Sequence, residues 1–247
     1  MLRKLLDFWL KHINPRLNTL ITIVGTLGLI SCFLAFIFLF WLVKGVLKRE
    51  TFNFDQSFLL TIYPYENSGL DQFMLFITRF GNPEVMIPIA ILSLGLLWWK
   101  NNQLEAKIFV IGCLGATILN LGLKLMFERS RPALWKQLIT ETSFSFPSGH
   151  ALGSLFFYGF LAYLLAQKYP QLRLTIYSLT TLFITTIGLS RLYLGVHWPS
   201  DVLAGYGISI IWLTTCITML KLQQLRLARR LALSQKAKED SRLEPKA

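Results

Sequence analysis

Six apolar runs divide this chain, and the short stretches between them are polar: Leu20–Val43, Val85–Trp99, Ala106–Leu123, Leu152–Ala166, Leu174–Leu189 and Val202–Leu220. A helix of ~20 apolar residues crosses the hydrocarbon of a bilayer, so the pattern predicts six membrane-spanning helices. Several runs are shorter than that, and their helices must extend into flanking polar residues or lie inside the bundle. One such run, Val85–Trp99 above all, also suits a buried helix of a soluble protein. Six of them in one chain do not. Behind the basic Arg3, Lys4, Lys11 and Arg16, the first run resembles a signal peptide, but it is too long and has no small-residue cleavage site, so it reads as a retained first helix. The expected fold is all-α: a polytopic membrane protein built as a six-helix bundle, with residues 1–247 forming one domain.

Between the first and second runs, Lys44–Glu84 mixes Phe, Tyr, acids and Asn without an uninterrupted span. Helical patches at Asp55–Thr61 and Gly69–Phe80 are expected to lie at the outer interface, either covering the functional site or packing as a plain cap. Beyond the last run, Leu220, Leu222, Leu225, Leu227 and Leu231 interleave with Arg226, Arg229 and Arg230, as in a helix lying at a membrane surface. The last residues, SQKAKEDSRLEPKA, are too polar to bury a core and read as disordered.

Composition agrees with the pattern. The chain is 53% hydrophobic and 15% charged, with a mean hydropathy of +0.50, well outside the soluble globular range. Its formal net charge is +12, but much of the excess lies in the tail after the last span, where attraction to anionic lipid heads is the simpler reading than nucleic acid. The amino-terminal arm, the Lys100–Lys107 loop, the Lys168–Arg173 loop and the tail from Lys221 carry 4, 2, 2 and 8 of the 25 Lys and Arg residues. The positive-inside rule then places both termini in the cytoplasm, with 221–247 a basic cytoplasmic tail. Cys32, Cys113 and Cys216 each stand in an apolar run without a nearby partner, which reads as free thiols with no disulfide or metal role.

Three polar motifs sit at the edges of the apolar runs, all on the outer side in this topology: KLMFERSRP (Lys124 to Pro132), PSGH (Pro147 to His150) and SRLYLGVHWPSD (Ser190 to Asp201). Phosphate ester chemistry needs cations for the phosphoryl oxygens, a nucleophile, and an acid for the leaving oxygen. Lys124 and Arg131 are seven residues apart, close to two helical turns, and are expected to face one pocket, with Glu128 and Arg129 pairing locally or facing solvent. Taken alone, Lys124 equally suits a cation snorkelling at the membrane edge. Ser148 and Gly149 stand at a helix start, where backbone N–H groups point at an anion and glycine permits close approach. His150 is placed to protonate the departing oxygen, although a plain N-cap followed by an interfacial histidine is the alternative. His197 and Asp201, four residues apart, suit a nucleophilic imidazole and the carboxylate that orients it, or a local hydrogen bond. Arg191 closes the fifth run.

These motifs resemble the three-part signature of the type-2 phosphatidic acid phosphatase superfamily, which includes membrane lipid phosphatases and is related to vanadium haloperoxidases. The resemblance is close over Lys124–Asp201 and loose over the six-span layout. It implies phosphate binding by Lys124, Arg131, Ser148, Gly149 and Arg191, acid catalysis by His150, attack by His197 through a phosphohistidine, and orientation by Asp201. It also implies no metal, no cofactor, and a site opening toward the outer leaflet. Partners are then the bilayer and a lipid phosphate or diphosphate: undecaprenyl diphosphate, phosphatidylglycerol phosphate, phosphatidic acid or diacylglycerol diphosphate. A bacterial inner membrane is the expected location. The competing functions are a membrane phosphatase of a soluble ester and a non-enzymatic lipid-phosphate binder or transporter, which has no use for His150 or the His197–Asp201 pair. A vanadate-holding haloperoxidase is disfavoured because those relatives are soluble.

Overall fold

The computed structural model describes residues 26–243, and the basic amino-terminal arm with the start of the first run lies outside them. The described residues form eight α-helices joined by loops and three short 3₁₀ turns: α1 (Thr26–Leu47), α2 (Phe52–Ile62), α3 (Ser68–Thr78), α4 (Pro83–Trp99), α5 (Gln103–Phe127), α6 (Gly149–Lys168), α7 (Arg173–Tyr193) and α8 (Pro199–Leu243). Within α1, α5, α6, α7 and α8 lie five stretches long and apolar enough to cross a membrane. A bent pair brings the candidates to six where it counts as one span: α3 with its 3₁₀ extension to Gly81 meets α4 at 47°. Asn82 is extended at the break and Pro83 takes the first helical position, which stops one helix and starts the other. The patch expected at Gly69–Phe80 is therefore a helix continuous with the second span across a bend, and it packs along α7.

The last helix also differs from expectation. α8 continues from the span to Leu243 without a break, through most of the tail that reads as disordered. Its 45 residues amount to ~67 Å at 1.5 Å per residue, about twice the ~30 Å of hydrocarbon. Helix nucleation is the costly step, and a span already formed lets residues such as Leu, Arg, Gln, Lys and Ala propagate it.

α6 is the centre of the bundle, packed against α5, α7 and α8. Phe109, Phe156 and Phe160 are buried with ring centroids 5.6–5.9 Å apart, beside Leu152, Cys216 and Leu220. The outward faces are as apolar as the core: Phe33, Phe36 and Phe40 of α1, Ile91 and Leu92 of α4, and Leu114 and Ile118 of α5 are exposed. Helices apolar all round suit lipid, where packing rather than water exclusion holds neighbours together and small residues mark the contacts. Gly205 of α8 is the clearest of these. A Cβ there would stand 2.7 Å from the Ser148 carbonyl, and a second close approach ties the same elements, with the Ser148 N–H donating to the Asp201 carbonyl at 3.0 Å.

Because α5 and α7 end where α6 and α8 begin, all three polar motifs meet at one end of the bundle. α2 and the irregular 128–148 segment close over that end. Gly205→Ala should destabilise the protein by ~1–3 kcal/mol, since the obstacle is backbone rather than a flexible side chain. Gly122→Ala, with nothing near its Cβ, should lose nothing. Thermal unfolding in detergent compares the two, and equal midpoints would contradict the close contact.

Candidate active site

Three cations converge here from three elements. Lys124 comes from the last turn of α5, Arg131 from the segment after it, and Arg191 from the last turn of α7. α5 ends at Phe127, with Glu128 left-handed at its C-cap, so the two-helical-turn relation expected between Lys124 and Arg131 does not exist. Arg131 reaches the site because the chain turns back, not because a helix presents it. All three cations grip one short stretch of the 128–148 segment. Lys124 Nζ donates to Ser143 Oγ at 2.7 Å and to the Phe144 carbonyl at 2.8 Å. Arg131 Nε donates to the Ser143 carbonyl at 2.8 Å, and its Nη2 lies 3.7 Å from Glu141. Arg191 ion-pairs with Glu141 and donates from Nη1 to Thr78 Oγ1 at 2.7 Å. It is 1% exposed, and its Nε–H is buried with no acceptor among the described residues. An unpartnered donor on a buried guanidinium needs an explanation, and an anion supplies one.

His197 sits between Arg131 and Asp201. Its Nε2 is 3.3 Å from Arg131 Nη1 and its Nδ1 3.4 Å from Asp201 Oδ2. Arginine only donates, so Nε2 carries the lone pair and Nδ1 the proton. Burial first, then the charges of Arg191, Arg131 and Lys124, hold the His197 pKa well below the ordinary histidine value, so the ring is neutral near pH 7. Asp201 is fully buried. Its Oδ2 also accepts from the Trp198 N–H at 2.9 Å and from the Ser145 hydroxyl, and its Oδ1 from Arg129 Nη1 at 2.6 Å. The expectation for Arg129 is thereby overturned: it turns inward and pairs with Asp201 and Asp55 instead of Glu128 or solvent. Glu128 is the exposed member of the two.

The PSGH segment opens α6. Ser148 is its N-cap and is fully buried, and the first N–H groups of the helix, at Gly149 and His150, have no acceptor among the described residues. Asn120 closes on Gly149 from α5: an added Cβ would meet its side-chain oxygen at 3.0 Å. His150 lies against the bend between α3 and α4. Its Nε2–H donates to Asn82 Oδ1 at 2.7 Å, and its ring fills the space a Gly81 side chain would take. Gly149 and His150 also line an apolar cavity of about 470 Å³ between α4, α5 and α6, with Met86, Ala90, Leu152 and Phe156 among its walls. Two other wall residues, Ile87 and Leu121, are exposed on the outer face of the bundle, so the cavity opens toward lipid.

The site therefore includes residues that motif reading missed. Asn82, Glu141, Ser143 and Ser145 stand on irregular backbone, where no period announces an inward side chain, and Asp55 lies in a helix remote in sequence. A carboxylate five to ten residues from cations in a loop, as Glu141 is, was the one usable signal. No group of three or more metal-ligating side chains occurs among the described residues.

A model of the PAP2 superfamily matches residues 105–224, which contain all three motifs. That stretch of the chain has the PAP2 pattern. The chain is 28% identical over 180 residues to phosphatidylglycerophosphatase B of Bacillus subtilis, covering 71% of this chain and 88% of that one. It is also 28% identical over 178 residues to an undecaprenyl-diphosphatase of Sulfolobus acidocaldarius, covering 70% and 82%. The crystal structure of a transmembrane PAP2-type phosphatidylglycerolphosphate phosphatase from Bacillus subtilis superposes with a TM-score of 0.71 at 25% identity, over 75% of this chain and 94% of that one. That of Aquifex aeolicus LpxE gives 0.53 at 25% identity, over 69% and 95%. The apolar helices and the transmembrane PAP2-type relative support an integral membrane protein.

Glu141 holds two arginines that an incoming anion would also seek. Glu141→Gln should therefore tighten inhibition by vanadate or inorganic phosphate about 2- to 5-fold, the equivalent of ~0.5–1 kcal/mol for a part-exposed pair. Unchanged or weaker inhibition would make Glu141 a support for Arg191 rather than a competitor.

Proposed function

We propose that this PAP2 phosphatase hydrolyses the phosphate or diphosphate head group of a lipid through a phosphohistidine at His197. The observation that carries the proposal is the meeting of a neutral, buried imidazole with Lys124, Arg131 and Arg191, beside an apolar cavity that reaches His150 from the lipid side. Both curated relatives described above and the solved Bacillus subtilis structure are named for lipid phosphates, in agreement with this reading.

In the proposed reaction the phosphoryl oxygens take the place of Glu141, Ser143 and Phe144 as acceptors for the three cations. The free Arg191 Nε–H and the first N–H groups of α6 supply further donors, the helix start favouring negative charge. The tail lies in the cavity between α4, α5 and α6. His197 Nε2 attacks phosphorus in line, the P–O bond to the lipid breaks, and a proton from His150 goes to the leaving oxygen, which displaces Asn82 as the partner of that imidazole. Asp201 accepts from Nδ1–H while the phosphorylated ring is cationic. A water deprotonated by His150 then attacks phosphorus, the Nε2–P bond breaks, and inorganic phosphate departs. No step calls for a metal. The basic-residue bias supports cytoplasmic termini and a site at the outer face of a bacterial inner membrane.

Inorganic phosphate release from undecaprenyl diphosphate, phosphatidylglycerol phosphate, phosphatidic acid and diacylglycerol diphosphate, with a sugar phosphate as control, tests the class. We expect release from at least one lipid, none from the sugar phosphate, and loss of at least ~10³-fold in His197→Ala. Equal release by the variant removes His197 as nucleophile. Release from the sugar phosphate alone replaces a lipid substrate by a soluble one.

The pH dependence follows from the depressed His197 pKa. A histidine lowered in the folded protein remains unprotonated as pH falls through ~6.5, so its lone pair persists into more acidic solution. With the ionisation of the substrate's own phosphate allowed for, the acid limb of kcat/KM should lie below pH ~6.5. An acid limb centred at or above ~6.5 contradicts the environment described for His197.

A further inference from the structure

Asp55 is fully buried, although it belongs to a short helix outside the six spans. Both of its oxygens are engaged at the start of α8. Oδ1 accepts from the Ser200 N–H at 2.9 Å, and Oδ2 from the Ser200 hydroxyl at 2.6 Å and from Arg129 Nη2 at 2.7 Å. Arg129 turns its other nitrogen, Nη1, to Asp201 Oδ1 at 2.6 Å and to Ser200 Oγ at 2.7 Å, and its plane lies 5.6 Å from the Trp198 ring. One guanidinium thus bridges two buried carboxylates, and the second of them faces His197 Nδ1. Among the described residues Arg129, unlike Arg131 and Arg191, makes no hydrogen bond or ion pair with Glu141 or Ser143.

A carboxylate enclosed this fully takes up a proton unless a cation compensates its charge. A protonated Asp201 is a poor partner for Nδ1–H, and it cannot balance the cationic ring formed when Nε2 bonds to phosphorus. The planar fork of Arg129 supplies the compensation, and Asp55 fixes the fork. Asp55, Arg129 and Asp201 together carry one negative charge, which the phosphorylated His197 cancels. The other charged groups near His197 are Lys124 of α5, Arg131 and Glu141 of the 128–148 segment, and Arg191 of α7; Ser145 and His150 complete the polar surroundings.

We infer that Arg129 and Asp55 are positioning residues for phosphoryl transfer, setting the charge of Asp201 and through it the tautomer of His197, so that α2 belongs to the reaction apparatus and is not only a cover over it. The inference rests on the reading of His197 as nucleophile. It differs from a structural role in what it touches: the link runs from a helix between the first two spans, through one arginine, to the ring nitrogen opposite the attacking one.

The test uses the full chain in detergent or nanodiscs with Asp55→Asn, Arg129→Lys and Asp201→Asn. Asp55→Asn keeps the shape but throws the whole Arg129 charge onto Asp201, weakening it as an acceptor; Arg129→Lys cannot bridge two carboxylates in a fork. Each should lower kcat roughly 10- to 10²-fold per folded molecule with KM changed less than about twofold. In the Asp201→Asn background, Asp55→Asn should cost nothing further. Variants that lower the unfolding midpoint yet keep the wild-type kcat, or losses that add fully in the double variant, overturn the inference. ¹⁵N spectra of histidine-labelled protein give a readout independent of turnover: the Nδ1–H tautomer of His197 should dominate in wild type and decline in Asp55→Asn. An unchanged spectrum overturns the inference whatever the activity. A changed spectrum in a protein that releases phosphate from no lipid leaves the link standing and removes the proposed reaction instead.

Discussion

Charge compensation at a low-dielectric end of the bundle governs this structure. Lys124, Arg129, Arg131 and Arg191 meet Asp55, Glu141 and Asp201 within one cluster, most of it out of solvent. An isolated ion there costs several kcal/mol, so every cation requires an acceptor and every carboxylate a donor. Four cations against three carboxylates leave one positive charge over among these seven groups. The uncompensated donor is visible as the Arg191 Nε–H without a partner. In the proposed reaction a phosphoryl group completes the set and takes the place of Glu141, whose side chain is already partly exposed.

The helices enter this account as supports. Two of them end and two begin at the same level, which brings cations from C-terminal last turns and N–H groups from a helix start to one place. Both placements follow helix electrostatics, since cations are favoured at C-termini and anions at N-termini. The small residues complete the geometry. Without Gly205 the start of α6 and the start of α8 would stand farther apart, and the Ser148-to-Asp201 backbone bond that sets the phosphate side against the His197 side would not form.

Much of this was legible in the sequence, for identifiable reasons. Apolar runs announce spans because lipid tolerates little else, and Lys124, Arg131, Ser148, His150, Arg191, His197 and Asp201 stood out as polar residues at the edges of those runs. What failed was the extension of helical periodicity past Phe127: the left-handed Glu128 ends α5, and Arg129 and Arg131 then take directions that no 3.6-residue period describes. The bend at Asn82–Pro83 hid the first half of the second candidate span in the same way, because only the second half, Val85–Trp99, reads as an apolar run, while Asp71, Gln72 and Arg79 interrupt the first. Asp55 was not legible at all. It is one acid in a mixed aromatic helix, and its importance comes from Arg129 and Ser200, which lie 74 and 145 residues away.

The two sides of the site also solve different problems. In the proposed reaction the phosphate side exchanges partners, and its cations rest on a carboxylate, a hydroxyl and carbonyls of an irregular segment. With His197 as the proposed nucleophile, its side must not exchange partners, because a nucleophile whose tautomer drifts loses its lone pair toward phosphorus. Its contacts are correspondingly buried and helix-anchored: Asp201 and Ser200 from the first turn of α8, Asp55 from α2, and one arginine shared among them. Arg129 and Arg131, two residues apart, serve these opposite needs although regular extended backbone would put them on one face; the chain after Phe127 is irregular, and no single period relates the two side chains.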